Sequence, residues 1–135
     1  MPTDTFYDPL RCKEVAATPE ERVRQWFITR LRDDLGVPAH LMMSEVGMKF
    51  GGKPYRADIL VYDRSGQPLA VVECKRPDIE LGGETARQAL RYDMVLSVRW
   101  IMLTNGHRTF VYRRSGDSFE PCATIPDYET MICPR

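Results

Sequence analysis

No run of about 18 apolar residues occurs in this chain of 135 residues, and no charged start leads into an apolar stretch, so neither membrane insertion nor export has support. Cysteine is scarce and scattered. Cys12, Cys74, Cys122 and Cys133 make no CxxC pair, and His40 and His107 are isolated, which argues against a zinc site and against a disulfide framework. These thiols are expected to be reduced, in a cytoplasmic protein. An excess of charge is lacking too. The 19 basic and 19 acidic side chains cancel, so no whole-molecule field steers the protein to nucleic acid or to an anionic membrane, and any such contact needs a local patch. Internal repeats and low-complexity runs are absent. What is present is 43% hydrophobic residues, enough for one domain whose core stands without staples.

Residues 1–17 mix Pro, Asp, Arg and isolated apolar residues without a period, and read as an irregular arm before a single domain over 18–135. A helix begins at Thr18. Thr18 can cap it, Pro19 suits its first position, Glu21 stands where its carboxylate can reach back to the cap N–H, and Gly36 closes it. Val23, Phe27 and Leu31, with Trp26 beside them, form its buried stripe, and Glu20 lies in line with that stripe. An extended segment follows over residues 40–50 and ends at Gly51-Gly52. "ADILVYD" and "PLAVVEC" are two strands about a tight turn at Ser65-Gly66. "GETARQALRYDMVLSV" places Ala86, Ala89, Leu90 and Met94 on a helical period and makes a second helix. "RWIMLT" and "RTFVYRR" form a hairpin around Asn105-Gly106. From Ser115 onward the prolines leave a loop or a weak edge element. The order αβββαββ predicts an α/β sandwich, a central mixed β-sheet flanked by helices.

One stretch departs from this pattern. "AVVECKRPD" begins as a strand with Ala70, Val71 and Val72 and then puts Glu73 and Lys75 where more apolar side chains are expected. With Ser65-Gly66 as a two-residue turn, paired residue numbers sum to 131 and Asp58 falls opposite Glu73. Directly opposed Cβ atoms lie about 5 Å apart, and like charges there are destabilising. Lys75, two residues on, projects from the same face as Glu73. A divalent cation offsets such a repulsion: Mg²⁺ takes hard oxygen ligands and is held by one or two carboxylates with phosphate completing its shell. A neighbouring lysine can orient water or steady charge on the phosphate. The blander possibility is a solvated strand end where Lys75 neutralises the acids. The registration of all three on one face favours the functional reading.

Asp58 followed by Glu73-Cys74-Lys75 resembles the signature of the PD-(D/E)XK nuclease superfamily, with Ala57 where the motif's name has Pro. The wider run, "TPEERVRQWF" through "RADILVYDRSGQPLAVVECKRP" to "QALRY" and "LTNG", resembles the N-terminal nuclease domain of type I restriction-enzyme R subunits over about residues 18 to 106. The resemblance implies a restriction-endonuclease-like fold that cuts DNA with Mg²⁺ or Mn²⁺ held by Asp58 and Glu73. Lys75 would position water. Full R subunits also carry an ATP-driven motor, and this sequence has no GxxxxGK[ST] loop, so the chain reads as a stand-alone relative or one domain of a larger subunit. Expected partners are therefore DNA, other restriction-modification subunits or a motor domain, and a second copy of the chain. A nuclease fold that only binds nucleic acid or a partner subunit is the competing expectation.

Family members often add a helix glutamate to the metal. Glu21 has a sufficient role in the cap, so Glu20 is assigned to the metal and to catalysis. Glu45 reads as an exposed strand residue. In the second helix Gln88 and Tyr92 stand four apart, as in the QxxxY element of RecB-type members, which supports the site or touches DNA. Arg87 and Arg91 repeat that spacing beside them, and with Arg76 they could form a basic rim for phosphates. Asn105-Gly106 is assigned to turn geometry, and His40 and His107 to turn or surface roles.

Overall fold

The computed structural model describes residues 4–50, 53–83 and 97–133. Helix α1 runs Pro19–Thr29, with Thr18 extended ahead of it and accepting from the Glu21 amide at 3.1 Å. The helix passes into one π-helical turn, Arg30–Asp34, and Gly36 ends it at φ +72, the left-handed conformation that costs glycine nothing. Val23, Phe27, Ile28 and Leu31 are buried. Trp26, expected beside them, is 44% exposed, because it lies a step of about 100° round the helix from Phe27, and Ile28 fills the stripe instead.

Six strands form the main sheet: β3 (Met42–Phe50), β4 (Lys53–Tyr62), β5 (Pro68–Cys74), β6 (Trp100–Thr104), β7 (Thr109–Ser115) and β8 (Ser118–Cys122), neighbours in that order. All neighbouring pairs are antiparallel except β5 and β6, which are parallel and so need a crossover through residues 75–99. The sheet is therefore mixed, as expected. One face carries α1 and the residues Ile59, Val61, Ala70, Val72 and Met102; the other packs Leu60, Val71, Ile101 and Leu103 against Leu81 and Val98. The helix expected over 83–98 lies, but for its end positions, outside the described residues.

The register expected for β4 and β5 holds: Ile59 pairs with Val72, Leu60 with Val71 and Val61 with Ala70. The two-residue turn does not. A bulge after Val61 shifts Tyr62 onto Pro68, and Asp63–Gln67 close a longer loop in which Asp63 Oδ1 accepts from the amides of Ser65 and Gln67, each at 2.9 Å.

Both ends of the chain carry more order than the pattern suggested. The arm read as irregular contains a hairpin, β1 (Thr5–Asp8) with β2 (Lys13–Ala16). Its turn is held by the buried carboxylate of Asp8, which accepts from the amides of Leu10 at 2.8 Å and Arg11 at 3.2 Å and is paired with the Arg11 guanidinium. Four-residue strands tied by one side chain leave no periodic trace. In the tail, where a loop or a weak edge element is expected, β8 forms the edge strand, and a further helix, α2 (Tyr128–Ile132), follows it. Tyr128 and Met131 enter the core, and the Trp100 indole donates to the Met131 carbonyl at 3.1 Å.

Candidate active site

The site forms where β4 and β5 part. Asp58 and Glu73 stand one step beyond the last paired residues, Ile59 and Val72, on the same line of the ladder. Here a side chain replaces a ladder bond, since Asp58 Oδ2 accepts from the Cys74 amide at 2.7 Å. On the opposite flank, Ser44 pairs with Ile59 and Val46 with Ala57, which brackets Glu45 across from Asp58. Glu45 adopts φ +56, a backbone that residues other than glycine seldom take. Three carboxylates thus cross three adjacent strands. Like charges so placed repel.

Among the described residues Lys75, Arg24, Arg56 and Arg11 answer them. Lys75 Nζ lies 3.5 Å from Glu73 Oε1, and Asp58, midway along β4, and Glu73, near the end of β5, are both buried. The sequence reading missed Arg24. Its guanidinium, buried beneath α1, donates to Glu45 Oε1 at 2.8 Å and to Asp58 Oδ1 at 3.0 Å, and stands 3.4 Å from Glu21 Oε1. A signal for it existed. Arg24 follows Glu20 by four and precedes Phe27 and Ile28 by three and four, so it sits on the buried stripe, where a charge needs a partner.

The same network corrects Glu21 and Glu45. The Glu21 carboxylate does not close a capping box. It accepts from Arg11 Nη2 at 2.7 Å and Gln25 Nε2 at 3.1 Å, while the Thr18 amide bonds the Ala16 carbonyl. Glu45 is half-buried rather than an exposed strand residue, and Arg24 and Arg56 hold it. Glu20 is 45% exposed in its side chain, with its Oε1 3.9 Å from Arg24 Nη2. Its charge is felt at Asp58. Burial pushes the Asp58 carboxyl above its ordinary value; the Cys74 amide, Arg24 and Lys75 oppose that rise and Glu20 adds to it. Glu45 is held below its ordinary value, chiefly by the hydrogen bond from Arg24.

The loop after β5 is fixed against the β6–β7 turn. The Lys75 amide donates to the Thr104 carbonyl at 2.9 Å, and Asn105 Nδ2 donates to the Ile79 carbonyl at 2.8 Å, so buried Asn105 joins the turn to the site as well as shaping it. Arg76 is exposed at the rim and paired with Asp78 at 3.4 Å. Gln88, Tyr92, Arg87 and Arg91 lie outside the described residues.

The donor set suits a hard divalent cation. Asp58 and Glu73 are buried carboxylates on facing positions of neighbouring strands, and burial raises the Asp58 carboxyl even with Arg24 and Lys75 near it. Among the described residues no cluster of three acids, histidines or cysteines forms a complete ligand set. Mg²⁺ does not require one, because water and phosphate supply the rest of its shell.

Comparison with known proteins agrees with this architecture. Residues 19–126 match the family described as type I restriction enzyme R protein N terminus. The chain is 34% identical over 76 residues to the type I restriction enzyme EcoAI endonuclease subunit of Escherichia coli, an alignment covering 53% of this chain and 9% of that subunit. A solved fragment assigned to the HsdR subunit of a type I restriction enzyme from Vibrio vulnificus YJ016 superposes with a TM-score of 0.64 at 20% identity, over 84% of this chain and 24% of that one. The fold is thus the α/β, restriction-endonuclease-like one, and the chain spans a small part of the relatives it matches. With the match covering most of its length, this chain belongs to the family of type I restriction enzyme R protein N-terminal regions.

Proposed function

We propose that this domain is a metal-dependent DNA endonuclease of the PD-(D/E)XK kind, cutting phosphodiester bonds where β4 and β5 part. The observation that carries the reading is the buried pair Asp58 and Glu73 on one line of the ladder, with Lys75 Nζ 3.5 Å from Glu73. Asp58 and Glu73 would hold Mg²⁺ or Mn²⁺, with Glu20 at the exposed mouth as a further oxygen donor. Bound there, the ion would polarise the phosphoryl group and make a nearby water more acidic. Lys75 directs its ammonium at the same corner, where it orients the attacking water and meets charge building on the phosphate. The Cys74 amide fixes the orientation of Asp58, and a bound ion would share its Oδ1 edge with Arg24. Gln88, Tyr92, Arg76, Arg87 and Arg91 are proposed to support the site or contact phosphates. Such a domain would act in the cytoplasm, joined to or assembled with restriction-modification subunits or a motor.

A second reading, a nuclease fold that binds DNA or a partner subunit without cutting, draws on Arg24. Its guanidinium already neutralises Asp58 from 3.0 Å. Supercoiled plasmid decides between them. At low salt, nicking is expected with Mg²⁺ or Mn²⁺, none in chelator, and none from Glu73→Gln. A pure protein that nicks under neither metal supports the binding-only reading.

A further inference from the structure

A cavity of about 210 Å³ opens between α1, the loop after β5 and the β6–β7 turn. Trp26, Pro77, Gly106, Arg22 and His107 are among the residues that line it, and among the described residues no carboxylate does. In a chain whose charges balance, that is a local bias toward anions. The cavity is also preformed. A Cβ on Gly106 would lie 3.4 Å from Val23 Cγ2, so the turn packs closely on α1. Asn105 spends its side chain on fixing the turn, with Oδ1 accepting from the amides of His107 at 2.9 Å and Arg108 at 2.8 Å, and Nδ2 reaching Ile79. Arg22 stands with its guanidinium carbon 5.3 Å from the centre of the Phe6 ring, which holds it at the rim. Trp26 is exposed.

The cavity also adjoins the candidate active site. Pro77 follows Lys75 by two residues, and Asn105 follows Thr104, whose carbonyl accepts from the Lys75 amide. A strand whose phosphate lay at Lys75 would therefore bring a neighbouring nucleotide to Trp26. We infer that this cavity takes one unstacked nucleobase of a single DNA strand, its face on Trp26 and its phosphate met by Arg22 and His107. Resting on the nuclease reading, this names the form of substrate: a locally single-stranded or frayed one. Stacking on an aromatic ring is indifferent to base identity, so the cavity positions without specifying sequence.

The test uses the whole chain in chelator, with a short oligodeoxythymidylate as probe and a blunt duplex of the same length beside it. Of the two tryptophans, Trp100 is buried and bonded to Met131, so Trp26 reports on the cavity. The expected results are quenched emission, tighter binding of the single strand than of the duplex, and a loss of about tenfold or more in affinity for Trp26→Leu. Trp26→Phe should restore most of the affinity without the quench. Equal affinity of Trp26→Leu and parent overturns the inference, as does quenching that survives in Trp26→Leu or a failure of the parent to bind. Binding through Trp26 by a protein that never nicks plasmid keeps the cavity and removes cleavage; nicking by a protein indifferent to Trp26 does the reverse.

Discussion

A guanidinium within 4 Å of four carboxylates, Glu20, Glu21, Glu45 and Asp58, makes Arg24 costly to remove. Each acid it leaves behind in a buried setting keeps its desolvation penalty and loses its partner. Arg24→Met, close in volume and without charge, should therefore destabilise the fold by about 3–5 kcal/mol, read from urea unfolding. A change below about 1 kcal/mol, the scale of exposed pairs, would show that the network is solvated and carries little. Nothing in the residue's identity announced this, since arginine on a helix is usually a surface residue. Asp58, Glu73 and Lys75 were legible for the opposite reason. A run of valines that ends in charge is conspicuous, and strand alternation assigns such charges to a face without any knowledge of tertiary contacts.

At the scale of elements, the β1–β2 hairpin is wired to the site through side chains. Asp8 pairs with Arg11, Arg11 with Glu21, and Arg24 joins Glu21 to Asp58. Burial works against ionisation of Asp8, but the Arg11 guanidinium and the amides of Leu10 and Arg11 outweigh it and hold the carboxyl below its ordinary range. A carboxyl so depressed contributes stability that is present above its unfolded value, near 4, and is lost as pH falls through the folded one. Asp58 is raised by burial and has the opposite sign: its contribution is full at low pH and is lost as pH rises. Stability should hence fall on the acid side of about pH 4, and Asp8→Asn should flatten that fall. Urea midpoints measured along a pH series give the slopes. Identical slopes for parent and variant would remove Asp8 from the linkage.

The hairpin was not legible because its four-residue strands are held by contacts between Asp8, Arg11 and Glu21, distant in sequence or hidden in a turn. The five-residue α2 escaped for a related reason: Asp127 caps it by accepting from the Thr130 amide at 2.8 Å, but core docking of Tyr128 and Met131 is what holds it. β5 was legible from Pro68 to Cys74 because burial on both faces writes a continuous apolar run. The β4–β5 register survived a wrong turn because the bulge at Val61 absorbed the extra residue before the ladder began to matter at Asp58.

On the scale of the whole molecule, one mixed sheet sets the parting of β4 and β5, the β6–β7 turn and α1 around a single corner. The central claim is that Lys75 acts on the reaction while the acids hold the ion. Removing a like charge beside a cation should leave metal affinity intact or improve it, whereas removing a preorganised electrostatic donor costs catalysis a factor on the order of a hundred or more. The most direct measurement is the plasmid nicking rate of Lys75→Ala at saturating Mg²⁺, with metal binding followed by calorimetry on the same preparation. The account predicts undiminished metal affinity and nicking slowed at least a hundredfold; nicking at the parent rate would contradict it.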